Sequence, residues 1–249
     1  MPIIDFHAHM GRGPKGSSDL LQSNLPAELV VQYAREARID RTVVFPVTYP
    51  DYGPANREIV EAVAKHPREL IGFARLNPNS EGALDSLQDA AKHGLRGLKL
   101  HHGLDQFALD SEPVHRLLDA CGDLKMPVIF HSIGVVDALT RLAEKHPDTS
   151  IVFGHMGGLW DWPAARSAIS VAKRLRNVYL ETSSMMVIWM IEEAGREVPE
   201  KLLFGSDSPA MHPKVELEKI RVAALPRETK RLAMGENAAR LLGLDSSSA

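Results

Sequence analysis

The sequence lacks the cysteines of disulfide-bonded proteins, the positive charge of nucleic-acid-binding proteins and the long apolar runs of membrane proteins. It contains one cysteine, Cys121, so no disulfide can form within the chain, and this usage is typical of a reducing compartment. The formal net charge is −3, which gives no reason to expect a nucleic-acid partner, because binding phosphates requires a basic face. The longest apolar run, Met185 to Ile191, is far shorter than the ~20 residues that span a bilayer. We expect no nucleic-acid or membrane partner, and interpret this run as core or as a subunit interface, which leaves a homodimer open.

The beginning of the sequence also lacks a targeting segment. Met1-Pro2 leads directly into Ile3-Ile4-Asp5-Phe6, with no basic or long apolar segment before these residues, so we expect a cytoplasmic protein. The 249 residues are close to the length of one eightfold βα barrel and can bury a core without disulfides. No Gly/Ser linker divides the chain, so we predict a single domain over residues 1–244 and a disordered tail over residues 245–249.

Short apolar runs alternate with longer amphipathic patterns along the chain. Runs rich in Val, Ile, Leu and Phe predict buried strands at Ile3–Phe6, Thr42–Pro46, Ile71–Leu76, Gly97–Leu100, Pro127–His131, Ile151–Gly154, Val178–Glu181 and Leu202–Gly205. Apolar residues at helical spacing predict helices at Pro26–Ile39, Asn56–Ala64, Ala83–Lys92, Val114–Leu124, Val136–Lys145, Ala164–Leu175 and Glu236–Leu242. This alternation predicts an α/β fold with parallel strands, a distorted TIM (β/α)8 barrel.

Polar residues and glycines follow the predicted strands rather than precede them. Examples are His7-Ala8-His9, His101-His102-Gly103, His155-Met156-Gly157-Gly158 and Ser206-Asp207-Ser208. In a βα barrel the carboxyl ends of the strands face one mouth, where catalysis takes place. We therefore expect these residues to converge on one site.

Histidines and an aspartate at these positions are potential metal ligands. The strand period places the side chains of His7 and His9 on the same face, and imidazole is a good ligand for zinc. This pair alone is weak evidence, because two polar residues can simply mark the end of a strand. His131, His155 and Asp207 follow other apolar runs in the same way. Polar side chains there cost free energy unless they are paired or bound to a metal.

Five motifs resemble the amidohydrolase superfamily. They are DFHAH (residues 5–9), VIFH (128–131), FGHMGG (153–158), LFGSDSP (203–209) and GENAARLL (235–242). More narrowly, they resemble the amidohydrolase-related branch that includes aminocarboxymuconate-semialdehyde decarboxylase. The motifs extend from the first predicted strand to the last predicted helix, so the resemblance covers essentially the whole chain.

The resemblance implies one divalent metal held by His7, His9, His131 and Asp207. Zinc is the expected metal and manganese the alternative, because mixed nitrogen and oxygen ligands suit both. Asp207 would take a proton from a metal-activated water and later return it. His155 would contact that water or the substrate.

Lys99 lies inside the apolar fourth predicted strand, where an unpaired lysine is rare. In two-metal members of the superfamily, a lysine on this strand is carboxylated and bridges the metals. Two interpretations therefore stay open: two metals bridged by a carboxylated Lys99, or one metal with Lys99 as an unmodified active-site lysine. The motif context of the narrower branch favours one metal.

Cationic and aromatic residues near the strand ends are candidate substrate contacts. Arg12 and Lys15 in the first loop, Arg75 in the third strand and His101 after the fourth could bind a substrate carboxylate. Trp160 could form a wall of the pocket. For each of these residues, a solvated or packing role is an equally good interpretation.

The function that the resemblance implies is a metal-dependent hydrolase. It would use metal-activated water on a small, anionic amide, lactone or ester. A non-oxidative decarboxylase of the same branch would use the same ligands, so the sequence does not separate the two activities. A non-catalytic ligand-binding barrel would leave gaps in the ligand set, and the sequence contains every expected ligand.

Overall fold

The structure is a computed structural model that describes residues 2–13 and 24–244. The predicted substrate contact Lys15 and the predicted tail 245–249 lie outside the described residues. Within them, the strands are β1 (Ile4–Arg12), β2 (Asn24–Leu25), β3 (Arg41–Pro46), β4 (Leu70–Gly72), β5 (Ala74–Arg75), β6 (Leu98–Leu100), β7 (Val128–His131), β8 (Ile151–Gly154), β9 (Val178–Glu181) and β10 (Leu202–Leu203).

The strands form two sheets, of order β2-β1-β3-β4 and β10-β9-β8-β7-β6-β5. Every pair is parallel except β1 with β2. Strands β4 and β5 are two parts of one barrel strand, because only Phe73 separates them and its N–H donates to the carbonyl of Val44 at 2.9 Å. The two sheets are therefore continuous at this side.

On the other side, β1 meets the segment that follows β10. The N–H of Phe6 donates to the carbonyl of Phe204 at 2.9 Å, and the N–H of Asp207 donates to the carbonyl of His7 at 2.8 Å. These bonds close the sheets into a distorted (β/α)8 barrel, which confirms the predicted fold. They also place Asp207 directly beside the first strand.

The helices are α1 (Ala27–Ala37), α2 (Tyr52–Lys65), α3 (Ala83–Lys92), α4 (His102–Asp105), α5 (Glu112–Asp123), α6 (Val136–Lys145), α7 (Trp162–Arg174), α8 (Ile188–Glu197), α9 (Pro213–Val222), α10 (Arg227–Arg231) and α11 (Asn237–Leu241). Helices α3 and α6 have the predicted bounds. The sequence did not predict α9, because most of this helix is polar and Leu217 and Ile220 are its only large buried apolar side chains.

The interior of the barrel is filled by one face of each strand. Phe6, Phe45, Ile129 and Leu203 belong to this inner cluster, and each is fully buried. Because strand side chains alternate with a period of two, the residue two positions after Ile129, which is His131, also lies on the inner face. The apolar layer thus ends in polar groups at the carboxyl ends of the strands.

The apolar run Met185 to Ile191 is divided between core and surface. Met185, Met190 and Ile191 are fully buried, whereas Met186 and Trp189 are exposed by 43% and 45%. The run is therefore partly core, as the sequence suggested, and the homodimer stays a prediction. Among the described residues, no helix has the length and apolar character needed to cross a membrane.

A buried ion pair ties the end of β5 to α4. The guanidinium of Arg75 donates to both carboxylate oxygens of Asp105 at 3.1–3.2 Å, and the hydroxyl of Tyr52 donates to Asp105 at 2.6 Å. The side chains of the ion pair are only 1% and 4% exposed. This contact fixes α4, which begins at His102, and with it the preceding residue His101.

We expect Asp105→Ala to lower the free energy of unfolding by about 3–5 kcal/mol, because it leaves a buried guanidinium without its counter-charge. Urea-induced unfolding measures the loss. The matched control is Glu112→Ala, which breaks the exposed ion pair with Arg116 and should cost less than about 1 kcal/mol. Equal losses in the two variants would show that the buried guanidinium of Arg75 does not depend on Asp105 for its counter-charge.

Candidate metal centre

Three of the predicted ligands form one compact cluster at the barrel mouth. His9 Nε2 lies 3.0 Å from Asp207 Oδ1, and His7 Nε2 lies 3.3 Å from the same oxygen. The ligand atoms of the three residues lie within 4.8 Å of one another. The closure of the barrel between β1 and the loop after β10 brings them together.

The spacing of these atoms fits a bound divalent cation. Histidine nitrogens and carboxylate oxygens bind zinc at about 2.0–2.2 Å with tetrahedral geometry, so two such ligands lie roughly 3.3 Å apart. The measured 3.0 and 3.3 Å are close to this value. Two imidazoles and a carboxylate are also ligands that zinc and manganese accept. The cluster His7, His9 and Asp207 therefore meets the requirements of a metal site.

Glu181, at the end of β9, fixes the orientation of His7. His7 Nδ1 lies 2.8 Å from Glu181 Oε2, and both side chains are fully buried. A carboxylate in this position accepts a hydrogen bond from the Nδ1–H and leaves the lone pair of Nε2 free, an arrangement that usually accompanies metal-binding histidines. Gly205 lies against Glu181, where any Cβ would collide with its carboxylate.

Sequence reasoning missed Glu181 as a functional residue. It ends a predicted strand, as His131 does, and this shared position was the available signal. Ser183 was missed too, because hydroxyl residues are common in loops. The Ser183 hydroxyl donates to Glu181 Oε2 at 2.8 Å, and the Ser183 carbonyl lies 3.1 Å from His155 Nδ1. Ser183 thus joins the carboxylate behind His7 to His155.

Four non-glycine residues at the mouth adopt the left-handed backbone conformation. They are His155, Met156, Ser184 and Asp207, with φ of 58°, 51°, 56° and 59°. They follow three successive barrel strands. Such conformations cost about 1–3 kcal/mol each and cluster at functional sites, where surrounding contacts hold them. The strain therefore marks the same end of the barrel as the ligand cluster.

His7, His9 and the neighbouring His155 are neutral near pH 7. Burial lowers the pKa of His7 and of His155, and the neighbouring Lys99 contributes to both shifts. Burial also lowers the pKa of His9. A metal binds the unprotonated nitrogen, so no proton has to be removed from these rings first.

Lys99 points its amine at the cluster. Its Nζ lies 3.4 Å from His7 Nε2 and 4.9 Å from the centre of the Phe45 ring. Burial lowers the pKa of Lys99 to about 8, although the carboxylate of Asp207 opposes the shift. A larger fraction of the amine is therefore uncharged at neutral pH than in an exposed lysine, and carboxylation requires the uncharged form.

His131 lies beside the cluster and not within it. Its ring stacks on His101 at 4.0 Å and meets His155 edge-on at 5.0 Å. Burial lowers the pKa of His131 to about 2. Among the described residues, neither three-residue group of potential ligands includes it, so its role as a fourth ligand stays a prediction.

The candidate substrate contacts differ in position. His101 reaches the site through its stacking on His131. The Arg12 side chain is 81% exposed, with Glu58 at 3.9 Å, and Trp160 is 69% exposed, so both belong to the surface. Arg75 is not available to a substrate, because Asp105 occupies its guanidinium.

Comparison with known proteins places this architecture in a family. The family model described as amidohydrolase matches residues 4–244. No curated protein matches the sequence significantly.

Solved structures share the fold at low sequence identity. An amidohydrolase from Burkholderia multivorans with bound zinc superposes with a TM-score of 0.81 and 14% identity, covering 98% of this chain and 100% of that chain. A probable 2-pyrone-4,6-dicarboxylic acid hydrolase from Acinetobacter baumannii, with citric acid bound, gives 0.76 and 17%, covering 98% and 100%. The 5-carboxyvanillate decarboxylase from Sphingomonas paucimobilis gives 0.77 and 16%, covering 98% and 99%.

At these identities the neighbours show the fold alone. The family match is different, because it extends from the first strand to the end of the last helix. The resemblance predicted from the motifs is therefore confirmed, and this chain belongs to the amidohydrolase family, a family of enzymes.

Proposed function

We propose that this protein is a metal-dependent hydrolase that acts on a small anionic amide, lactone or ester. The observation that carries the proposal is the convergence of His7 Nε2, His9 Nε2 and Asp207 Oδ1 at distances that suit one cation. Glu181 behind His7 supports it further, since that carboxylate selects the nitrogen that faces Asp207. His131 is proposed as the fourth ligand.

A divalent metal bound here supplies Lewis acidity and a water nucleophile at neutral pH. Asp207 is proposed to accept the proton of the attacking water and return it to the leaving group. His155 is proposed to contact the substrate. The Nδ1 atom of His155 lies 3.1 Å from the carbonyl of Ser183 and is hydrogen-bonded there, so Nε2 is the nitrogen that remains for the substrate.

We propose a single metal ion, with zinc as its identity. A second described group, His7, His155 and Glu181, also has its ligand atoms within 4.8 Å. It shares His7 with the first group. A second ion would need Nδ1 of His7, and this nitrogen already donates its hydrogen to Glu181. Zinc suits the two imidazoles and is bound in one structural neighbour. A carboxylated Lys99 that bridges two metals is the alternative.

An anionic substrate fits the charges around the site. Lys99 is a cationic neighbour of the cluster, with its amine 3.4 Å from His7. Arg12 is exposed at the end of β1, where it is suited to meet a carboxylate that enters the mouth. Two of the structural neighbours are named for carboxylated compounds, which supports the same class of substrate.

A decarboxylase is the second candidate. The 5-carboxyvanillate decarboxylase shares the barrel over almost the whole chain. The same histidines and Asp207 would then orient a substrate carboxylate, with Lys99 placed to neutralise it. The two activities differ in whether water or the carboxylate's own carbon–carbon bond reacts.

We expect His7→Ala and Asp207→Ala to reduce bound metal from roughly one equivalent per chain to below about a tenth, with the fold retained. Elemental analysis after zinc reconstitution measures the metal, and circular dichroism checks the fold. His93→Ala is the control, because His93 is an exposed histidine at the end of α3. Wild-type protein that holds no metal would refute the proposal, and two equivalents would favour the carboxylated Lys99.

Glu181→Gln removes the charge that holds His7 in place, so we expect zinc affinity to fall about 10–100-fold. Competition with a chromophoric chelator measures the dissociation constant. Glu144→Gln, at an exposed glutamate paired with Arg174, should leave the affinity unchanged. Unchanged affinity in Glu181→Gln would show that this carboxylate does not support the site.

A paired assay separates the two candidate activities. We expect the zinc-loaded protein to hydrolyse carboxylated lactones with release of acid. Asp207→Ala should slow this reaction by at least about 10²–10⁴-fold, because the change removes a proposed metal ligand as well as the proposed proton acceptor. Acid release is followed by pH-stat and carbon dioxide by a coupled assay. Carbon dioxide release from carboxylated aromatics, without lactone hydrolysis, would replace the hydrolase with the decarboxylase.

A further inference from the structure

A buried ion pair on α9 lies outside the ligand cluster. Glu216 Oε1 lies 2.7 Å from Lys219 Nζ, and their side chains are only 1% and 13% exposed. A buried ion pair contributes little net stability, since desolvation offsets the attraction between the charges. The pair formed by Glu216 and Lys219 is therefore better explained by the other contacts of these side chains than by its net stability.

Both side chains hold the backbone of the loop that follows β9. Glu216 Oε2 accepts the N–H of Ser184 at 2.8 Å, and Lys219 Nζ donates to the carbonyl of Met185 at 2.9 Å. Ser184 has a φ of 56°, a conformation that costs free energy and persists only where neighbouring contacts impose it. The ion pair supplies those contacts on both sides of the Ser184–Met185 peptide.

Ser184 in turn contacts the metal centre. Its hydroxyl donates to Asp207 Oδ2 at 3.2 Å, while Asp207 Oδ1 faces His7 and His9. The hydroxyl therefore engages one carboxylate oxygen and leaves the other directed at the histidines. Among the described residues, this chain of contacts joins α9 to a proposed ligand through a single serine.

We propose that Glu216 and Lys219 are positioning residues for the metal centre, which act by holding Ser184 so that its hydroxyl orients Asp207. This inference rests on the proposed metal site. Neither residue touches the ligand atoms of the cluster, and the sequence gives no indication of them, since Glu216 lies in a helix rich in Glu and Lys.

The test measures zinc affinity, with zinc alone as the probe, in the full-length chain and its variants. We expect Glu216→Ala and Ser184→Ala each to weaken zinc binding about 10-fold, the lower end of the effect of outer-shell contacts. The double variant should bind no more weakly than Ser184→Ala alone, because both changes break the same chain of contacts. The visible spectrum of the cobalt-substituted protein should shift alike in both single variants.

Glu218→Ala is the matched control, since Glu218 pairs with Arg221 on the exposed face of the same helix. It should change neither affinity nor spectrum. Ser184→Ala deletes only a hydroxyl, so it keeps the proposal testable even if Glu216→Ala fails to fold. Unchanged zinc affinity in Ser184→Ala, or effects of the two changes that multiply, would overturn the inference. Zinc binding that survives His7→Ala would instead overturn the proposed metal site.

Discussion

The hydrogen bond between His7 and Glu181 is the contact on which the rest of the site depends. Both side chains are completely buried, so bulk water does not compete for this hydrogen bond. It turns Nε2 of His7 towards Asp207, and Ser183 and the backbone of His155 bind the same carboxylate oxygen. One carboxylate thereby sets the positions of groups from three different strand ends.

Several ionisable groups are buried around the mouth, and their burial costs desolvation free energy. Arg75 pairs with Asp105 and Glu216 pairs with Lys219, and Asp5 accepts the N–H of Ser206 at 2.9 Å. Burial raises the pKa of Asp5 to about 7. Each contact holds a segment that follows a barrel strand, at a cost in desolvation free energy.

The fold selects neither the reaction nor its substrate. A probable hydrolase and a decarboxylase share this barrel, since barrel enzymes carry their catalytic groups at the strand ends and vary the loops around them. In this chain, Arg12 at the end of β1 and Trp160 after β8 are exposed. Residues at such positions can differ without disturbing the barrel.

The sequence by itself determined the barrel and the identity of the potential ligands, because nearly continuous apolar runs, helical spacing and the polar residues after the runs are local patterns. It gave His7, His9 and Asp207, but no role for Glu181, Ser184 or Glu216. Their importance arises from partners between 23 and 174 positions away, and no local pattern records such a contact. Only the tertiary structure decided which nitrogen of His7 faces Asp207 and that Arg75 pairs with Asp105. Hydrogen bonds and ion pairs depend on the distances between residues that lie far apart in the chain, and these distances are set when the barrel folds.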